Sequence, residues 1–185
     1  DGERHELSES FTVLATQNPV EFEGTYPLPE AQLDRFLLKI KITYPSAEEE
    51  MTILENHNGR SALVDITQVE INGIEAEAVQ QARRELRELK LEPSLVRYIS
   101  EIARRTRNWP SVSLGASPRA AISLMLVAKA LAALNDRDYV IPDDVKSATL
   151  PALRHRIVLR PEAELEGFDT DRVLTDVLAS VEVPK

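Results

Sequence analysis

Cysteine is absent from the 185-residue chain. That excludes disulfides, thiolate metal sites and a cysteine nucleophile together, and it fits a reducing compartment. Aromatic residues are only 5%, so aliphatic side chains must fill whatever core forms. No apolar run approaches the roughly 18–20 residues that a bilayer-spanning helix needs, and no basic stretch followed by an apolar core, the pattern of a secretory signal, is visible. Positive charge is in deficit too: 22 Lys and Arg against 31 Asp and Glu leave a formal charge of −9. Such a chain repels phosphate backbones as a whole, which argues against a dedicated nucleic-acid binder. The expectation is a soluble, cytoplasmic protein.

Catalytic signatures are equally scarce. There is no G-x-S-x-G elbow, H-E-x-x-H helix or EF-hand loop. Nor is there a G-x-x-x-x-G-K-[ST] loop or an apolar strand ending in Asp-Glu, so neither a phosphate cradle nor its Mg²⁺ carboxylate lies in these residues. His5, His57 and His155 have no ligand-like spacing and read as surface or packing residues. The run Glu48-Glu49-Glu50 falls in a helix's first turn, where carboxylates favour the positive end of the dipole, and reads as capping rather than metal binding. No metal ligand is expected.

What is present is a change of pattern along the chain. Hydrophobic residues make up 43% and charged residues 29%, as in a folded protein. Asp1-Gly2 is a hairpin-turn signal with a candidate second strand after it and no first strand before it, so a downstream part of a longer protein is expected. Residues 11–16 (FTVLAT) read as a buried strand ending in Gln17-Asn18-Pro19. Pro29 suits a first helical position, and the short helix it opens ends near Arg35. Residues 37–43 (LLKIKIT) alternate as a strand with Lys39 and Lys41 on one face. Strand, short helix and strand form a βαβ unit, which implies a parallel sheet. Two strands do not make an independently stable sheet.

Beyond Pro45 the pattern is helical. Ser46 with Glu49 predicts a capping box and a helix to about Asn56. Further helices are expected over about 74–90, from Glu92-Pro93-Ser94 onward, from Ser117-Pro118 to Leu134, from Ile141-Pro142 to the basic Arg154-His155-Arg156, and over 170–180. Residues 108–117 read as a loop. The helix from Ser117-Pro118 is apolar nearly all round and is expected at the buried centre of a bundle. The fold class is therefore mostly α with an α/β remnant, divided at residues 1–45 and 46–185.

Three polar positions stand out. Asn18 is an amide at the C-terminal end of an apolar parallel strand, where open α/β sheets place ligand-contacting groups; by position alone an Asn-Pro turn explains it more simply. Arg35 ends a short helix just before a strand, as a contact group, a dipole partner or plain surface charge. Arg119 lies in the first turn of a helix, where a cation opposes the dipole, so an anionic partner is expected.

Residues 11–35, FTVLATQNPVEFEGTYPLPEAQLDR, are similar to the sensor 1 strand and following helix of MoxR-type AAA+ ATPases. Leu114-Gly115-Ala116-Ser117-Pro118 with Arg119-Ala120 resembles that family's sensor 2 motif, and residues 138–156 resemble its lid. Magnesium-chelatase ATPase subunits share the sensor logic but less of this wording. The resemblance implies a partial AAA+ parallel-sheet core followed by an all-helical lid. It implies that Asn18 is sensor 1, orienting the attacking water near the γ-phosphate of ATP. Arg35 would be the arginine finger, reaching the nucleotide of a neighbouring subunit, and Arg119 sensor 2, bringing the lid onto its own subunit's nucleotide. It also implies a parent that is an Mg²⁺-dependent ATPase, self-associated into a hexameric ring, acting as a chaperone-like remodeller with a von Willebrand A-domain partner. This chain alone is expected neither to bind ATP tightly nor to hydrolyse it.

Two other readings compete. One is a non-catalytic helical interaction module. The other is a DNA-directed or chelatase-type AAA+ machine, with Arg154, His155, Arg156 and Arg160 on phosphates; compensation of a helix C-terminus explains those residues more simply.

Overall fold

The structure is a computed structural model that describes residues 2–9, 11–17, 28–58 and 73–184. Its elements in chain order are α1 (Glu30–Leu33), α2 (Ala47–His57), α3 (Ala76–Glu88), α4 (Pro93–Arg107), β1 (Val112–Leu114), α5 (Pro118–Leu134), α6 (Pro142–Leu153), β2 (Val158–Leu159), α7 (Pro161–Leu165) and α8 (Thr170–Ser180). The mostly helical class expected from the pattern is the one observed. Among the described residues, no helix is long and apolar enough to cross a membrane.

Helix α5 is the hub, packed against α6, α4 and α3. Its buried side chains, Ala120, Ser123, Leu124, Val127, Ala128 and Ala132, recur at three- and four-residue steps and so share one face. Alanines on that face and at Ala148 and Ala152 of α6 let the two helices approach closely. Ile102 of α4 and Val173, Leu174 and Val177 of α8 complete a core of fully enclosed side chains. The expected burial of α5 on all sides does not occur. Ile122 and Leu126 stay 55% and 46% exposed, because no described element covers that outer face.

The ends of the helices follow local chemistry. Ser46 and Glu49 form the expected capping box of α2, with Ser46 N–H donating to Glu49 Oε2 at 2.8 Å and Glu49 N–H to Ser46 Oγ at 3.3 Å. Hydrogen bonding of the Glu49 carboxyl to Ser46, its backbone N–H first, holds that carboxyl below its ordinary pKa. Asp144 accepts the Ile141 N–H at 2.9 Å at the start of α6 and a bidentate pair from Arg137 at 2.6 and 2.7 Å. Burial pushes the Asp144 pKa up, but these bonds outweigh it and the net direction is down.

Three features differ from the sequence pattern. Pro29 is the N-cap residue of α1, one position before the first helical residue. Residues 108–117 are not all loop, since β1 pairs antiparallel with β2, Val112 opposite Leu159 and Leu114 opposite Val158. The strands expected at 11–16 and 37–43 form no ladder among the described residues. A strand needs a neighbour for its N–H and C=O groups. Residues 34–41 find other partners instead, chiefly the C-terminal end of α6, as described next.

Candidate functional site

The approach to α5 is fixed by the end of α4. Thr106 Oγ1 donates to Ala103 O at 2.7 Å and accepts the Ala116 N–H at 2.9 Å, while Arg107 Nε donates to Ala116 O at 2.8 Å. Both polar groups of one peptide residue are thereby held by adjacent side chains. Gly115 is required here: a Cβ would sit 2.5 Å from Arg107 Cα, so any side chain would force the loop off the helix. The next residue, Ser117, is the N-cap of α5 and accepts the Ala120 N–H at 3.1 Å. Its hydroxyl lies 3.2 and 3.3 Å from the two carboxylate oxygens of Asp34. Arg119 follows two residues on.

Asp34 belongs to the turn that closes α1. Arg35 N–H donates to Gln32 O and Phe36 N–H to Leu33 O, each at 3.1 Å. This turn is gripped from below by the stretch Arg154-His155-Arg156. The Arg156 side chain is only 1% exposed. Its Nη2 donates to Asp34 O at 3.0 Å and Phe36 O at 2.6 Å, and its Nη1 donates to Ala152 O at 2.8 Å. Its Nε lies 3.1 Å from Asp34 Oδ1, an ion pair by charge and distance whose angle is not that of a hydrogen bond. Burial lowers the Arg156 pKa, and the Asp34 carboxylate works against that shift.

His155 Nε2 lies 2.9 Å from Phe36 O. A carbonyl can only accept, so Nε2 carries the proton. Burial depresses the His155 pKa, the Phe36 bond opposes this, and the neighbouring Arg156 charge adds to the depression. Arg154 donates to Lys39 O at 3.2 Å and pairs with Asp171 at 3.0 Å, and Lys41 reaches the same Asp171 at 2.7 Å. The last-turn carbonyls of α6, which have no partner inside the helix, are all taken. Leu150 O accepts from Arg154 N–H, Pro151 O from Lys39 N–H, Ala152 O from Arg156 and Leu153 O from Arg156 N–H.

The structure therefore brings Arg35 and Arg119 to one seam, through the Asp34–Ser117 bond. Both side chains are exposed, and among the described residues neither has a hydrogen bond or ion pair of its own. The anionic partner expected for Arg119 is not found among the described residues, where its charge instead acts to lower the pKa of the like-charged Arg156. Asn18 lies outside the described residues. The basic triplet is neither a phosphate-facing patch nor mere dipole compensation, because its side chains turn inward onto residues 34–39. That Asp34, Ser117 and Arg156 meet at this seam was not foreseen from the sequence, which offered Ser117 only as a helix start and Arg156 only as a phosphate contact or a helix-end charge. The one available signal was that Arg156 stands between the apolar Leu153 and Ile157, at a position more apt to be buried than solvated. Among the described residues, no three His, Asp or Glu side chains cluster together.

Comparison with known proteins places this seam. Residues 1–38 match the family described as "ATPase family associated with various cellular activities (AAA)", and residues 104–177 match the AAA lid domain. Uncharacterized protein YeaC of Bacillus subtilis is 44% identical over 184 residues, covering 100% of this chain and 56% of YeaC. Chaperone MoxR1 of Mycobacterium tuberculosis is 36% identical over 196 residues, covering 100% of this chain and 50% of that protein. The crystal structure of a proposed ATPase from Cytophaga hutchinsonii superposes with a TM-score of 0.85 at 40% identity, over 98% of this chain and 56% of that one. The chain spans about half the length of the curated relatives it matches. An AAA segment joined through residues 34–41 to an AAA lid is what these matches share with the architecture described above, and on them the chain belongs to the MoxR family of AAA+ ATPases, carrying that family's C-terminal portion with its lid domain.

Proposed function

We propose that this chain is the downstream part of an ATP-hydrolysing AAA+ machine in which Arg35 is the arginine finger. The observation that carries the reading is the state of Arg35. Its backbone is pinned by turn bonds on both sides, while its guanidinium is exposed and without a partner among the described residues. A pre-set, unneutralised cation on a rigid turn suits the stabilisation of charge that develops on a phosphoryl group in the transition state. Its planar fork can give two parallel hydrogen bonds to phosphate oxygens.

Arg119, at the start of α5, is proposed as sensor 2, and Asn18 as sensor 1. A finger acts on a neighbour's nucleotide, so the working form would be a ring, taken as a hexamer, that uses ATP with Mg²⁺. A chaperone-like remodelling role draws on the name of Chaperone MoxR1, and a von Willebrand A-domain partner and a cytoplasmic setting follow from the family resemblance. The isolated chain would neither bind ATP tightly nor turn it over.

The test is steady-state ATP hydrolysis by the full-length protein bearing this chain. Arg35→Ala should lower kcat by about 10³-fold or more. Mixing that variant with a subunit defective in its own nucleotide site should restore turnover. Unimpaired turnover by Arg35→Ala would refute the finger and favour a helical interaction module.

A further inference from the structure

The guanidinium of Arg156 does something that lid packing alone does not require. Its Nη2 bonds to the carbonyls of Asp34 and Phe36, the residues on either side of Arg35. Its Nη1 holds Ala152 O at the end of α6, and its Nε faces the Asp34 carboxylate that Ser117 also binds. One buried cation thus ties the turn bearing Arg35 to the helix end behind it and, through Asp34, to the start of α5. A buried guanidinium is costly unless its donors are used. Two of its donors here are spent on the carbonyls that flank a single exposed residue.

We infer that Arg156 is a positioning residue for Arg35, fixing the backbone from which that side chain reaches the nucleotide; this rests on the reading of Arg35 as the finger. Lysine cannot replace it, because one ammonium nitrogen cannot stand where two guanidinium nitrogens do, Nη2 on Asp34 O and Phe36 O and Nη1 on Ala152 O. The consequence is that Arg35 moves with the lid as one piece. A change at the N-terminus of α5, where Arg119 sits, is therefore carried to Arg35 through Ser117 and Asp34.

The experiment is single-turnover and steady-state ATP hydrolysis by the full-length protein, with Arg156→Lys, Arg35→Ala and the double variant, each checked for folding by circular dichroism. A misplaced group of this kind should lower kcat on the order of 10²-fold. KM for ATP should stay within about twofold, and Arg156→Lys should add nothing once Arg35 is gone, since both changes remove the same contact. If Arg35→Ala is inactive while Arg156→Lys keeps full kcat, the positioning role is overturned and the finger stands. If Arg156→Lys costs as much with Arg35 absent as with it present, Arg156 acts elsewhere and the inference fails. If Arg35→Ala is fully active, the finger reading falls and takes this one with it. Should Arg156→Lys not fold, Asp34→Asn is judged by the same criteria, with a smaller loss in kcat expected.

Discussion

Between Leu89 and Val181 the chain encloses an aliphatic core in which Ile102, Leu124, Leu153 and Leu174 lose all contact with water. By contrast, no described residue before Leu89 is buried, and Ile42 and Tyr44 are 92% and 97% exposed. The lid is held by its own packing. Among the described residues, 28–58 are held to the lid by polar contacts: backbone carbonyls reaching Arg154, His155 and Arg156, Lys39 N–H on Pro151 O, the Asp34–Ser117 bond and the Lys41–Asp171 ion pair. Hydrophobic burial makes the first region stable by itself, whereas a few charge-assisted hydrogen bonds make the second depend on the first. Arg35 sits where the two meet, which is where a group that must be both exposed and fixed can be placed.

The largest way to sharpen this contrast is a pair of truncations. Leu124→Ala should cost the lid about 2–5 kcal/mol, whereas Leu14→Ala, at a side chain 93% exposed, should stay within about 0.5 kcal/mol. Chemical denaturation followed at Trp109 measures both. Equal losses would mean that the segment around Leu14 has a core that the structure does not give it.

An intermediate effect should come from acid. The folded-state pKa of His155 is depressed below 6.5, so as pH falls the unfolded chain takes up its proton first and stability declines below that value. Asp144 is depressed below 3.8 and acts in the same direction at lower pH. The lid should therefore melt at a lower temperature at about pH 5.5 than at about pH 8. His155→Gln, which keeps a donor for Phe36 O without a titrating ring, should flatten the upper part of that profile; an unchanged profile would assign the effect elsewhere. A modest loss is expected at Ser117→Ala, which removes the α5 cap and the Asp34 contact and should cost about 1 kcal/mol in the same denaturation assay.

The sequence made the helical half of this comparison legible because its signals are local. Ser46 with Glu49, Ser117-Pro118 and Ile141-Pro142 mark helix starts by backbone chemistry alone. The strands at 11–16 and 37–43 were less well read, because a strand is completed by partners far along the chain and periodicity says nothing of whether they are there. β1 and β2, at three and two residues, carry too little pattern to be seen. Arg35 and Arg119 were legible as unusual charges. The groups that aim Arg35 were not: Arg156 lies 121 positions from it in sequence, and a basic triplet after a helix looks like solvent-facing charge until the fold turns it inward.

The most direct measurement is amide hydrogen exchange of the Phe36 and Lys39 N–H groups in this chain, which donate to Leu33 O and to Pro151 O of α6. A turn that is a rigid extension of the lid should show both protected, with protection falling selectively in Arg156→Lys while Leu124 and its neighbours keep theirs. Exchange at Phe36 and Lys39 as fast as in residues 11–17, or unchanged by Arg156→Lys, would contradict the idea that the lid holds Arg35 in place.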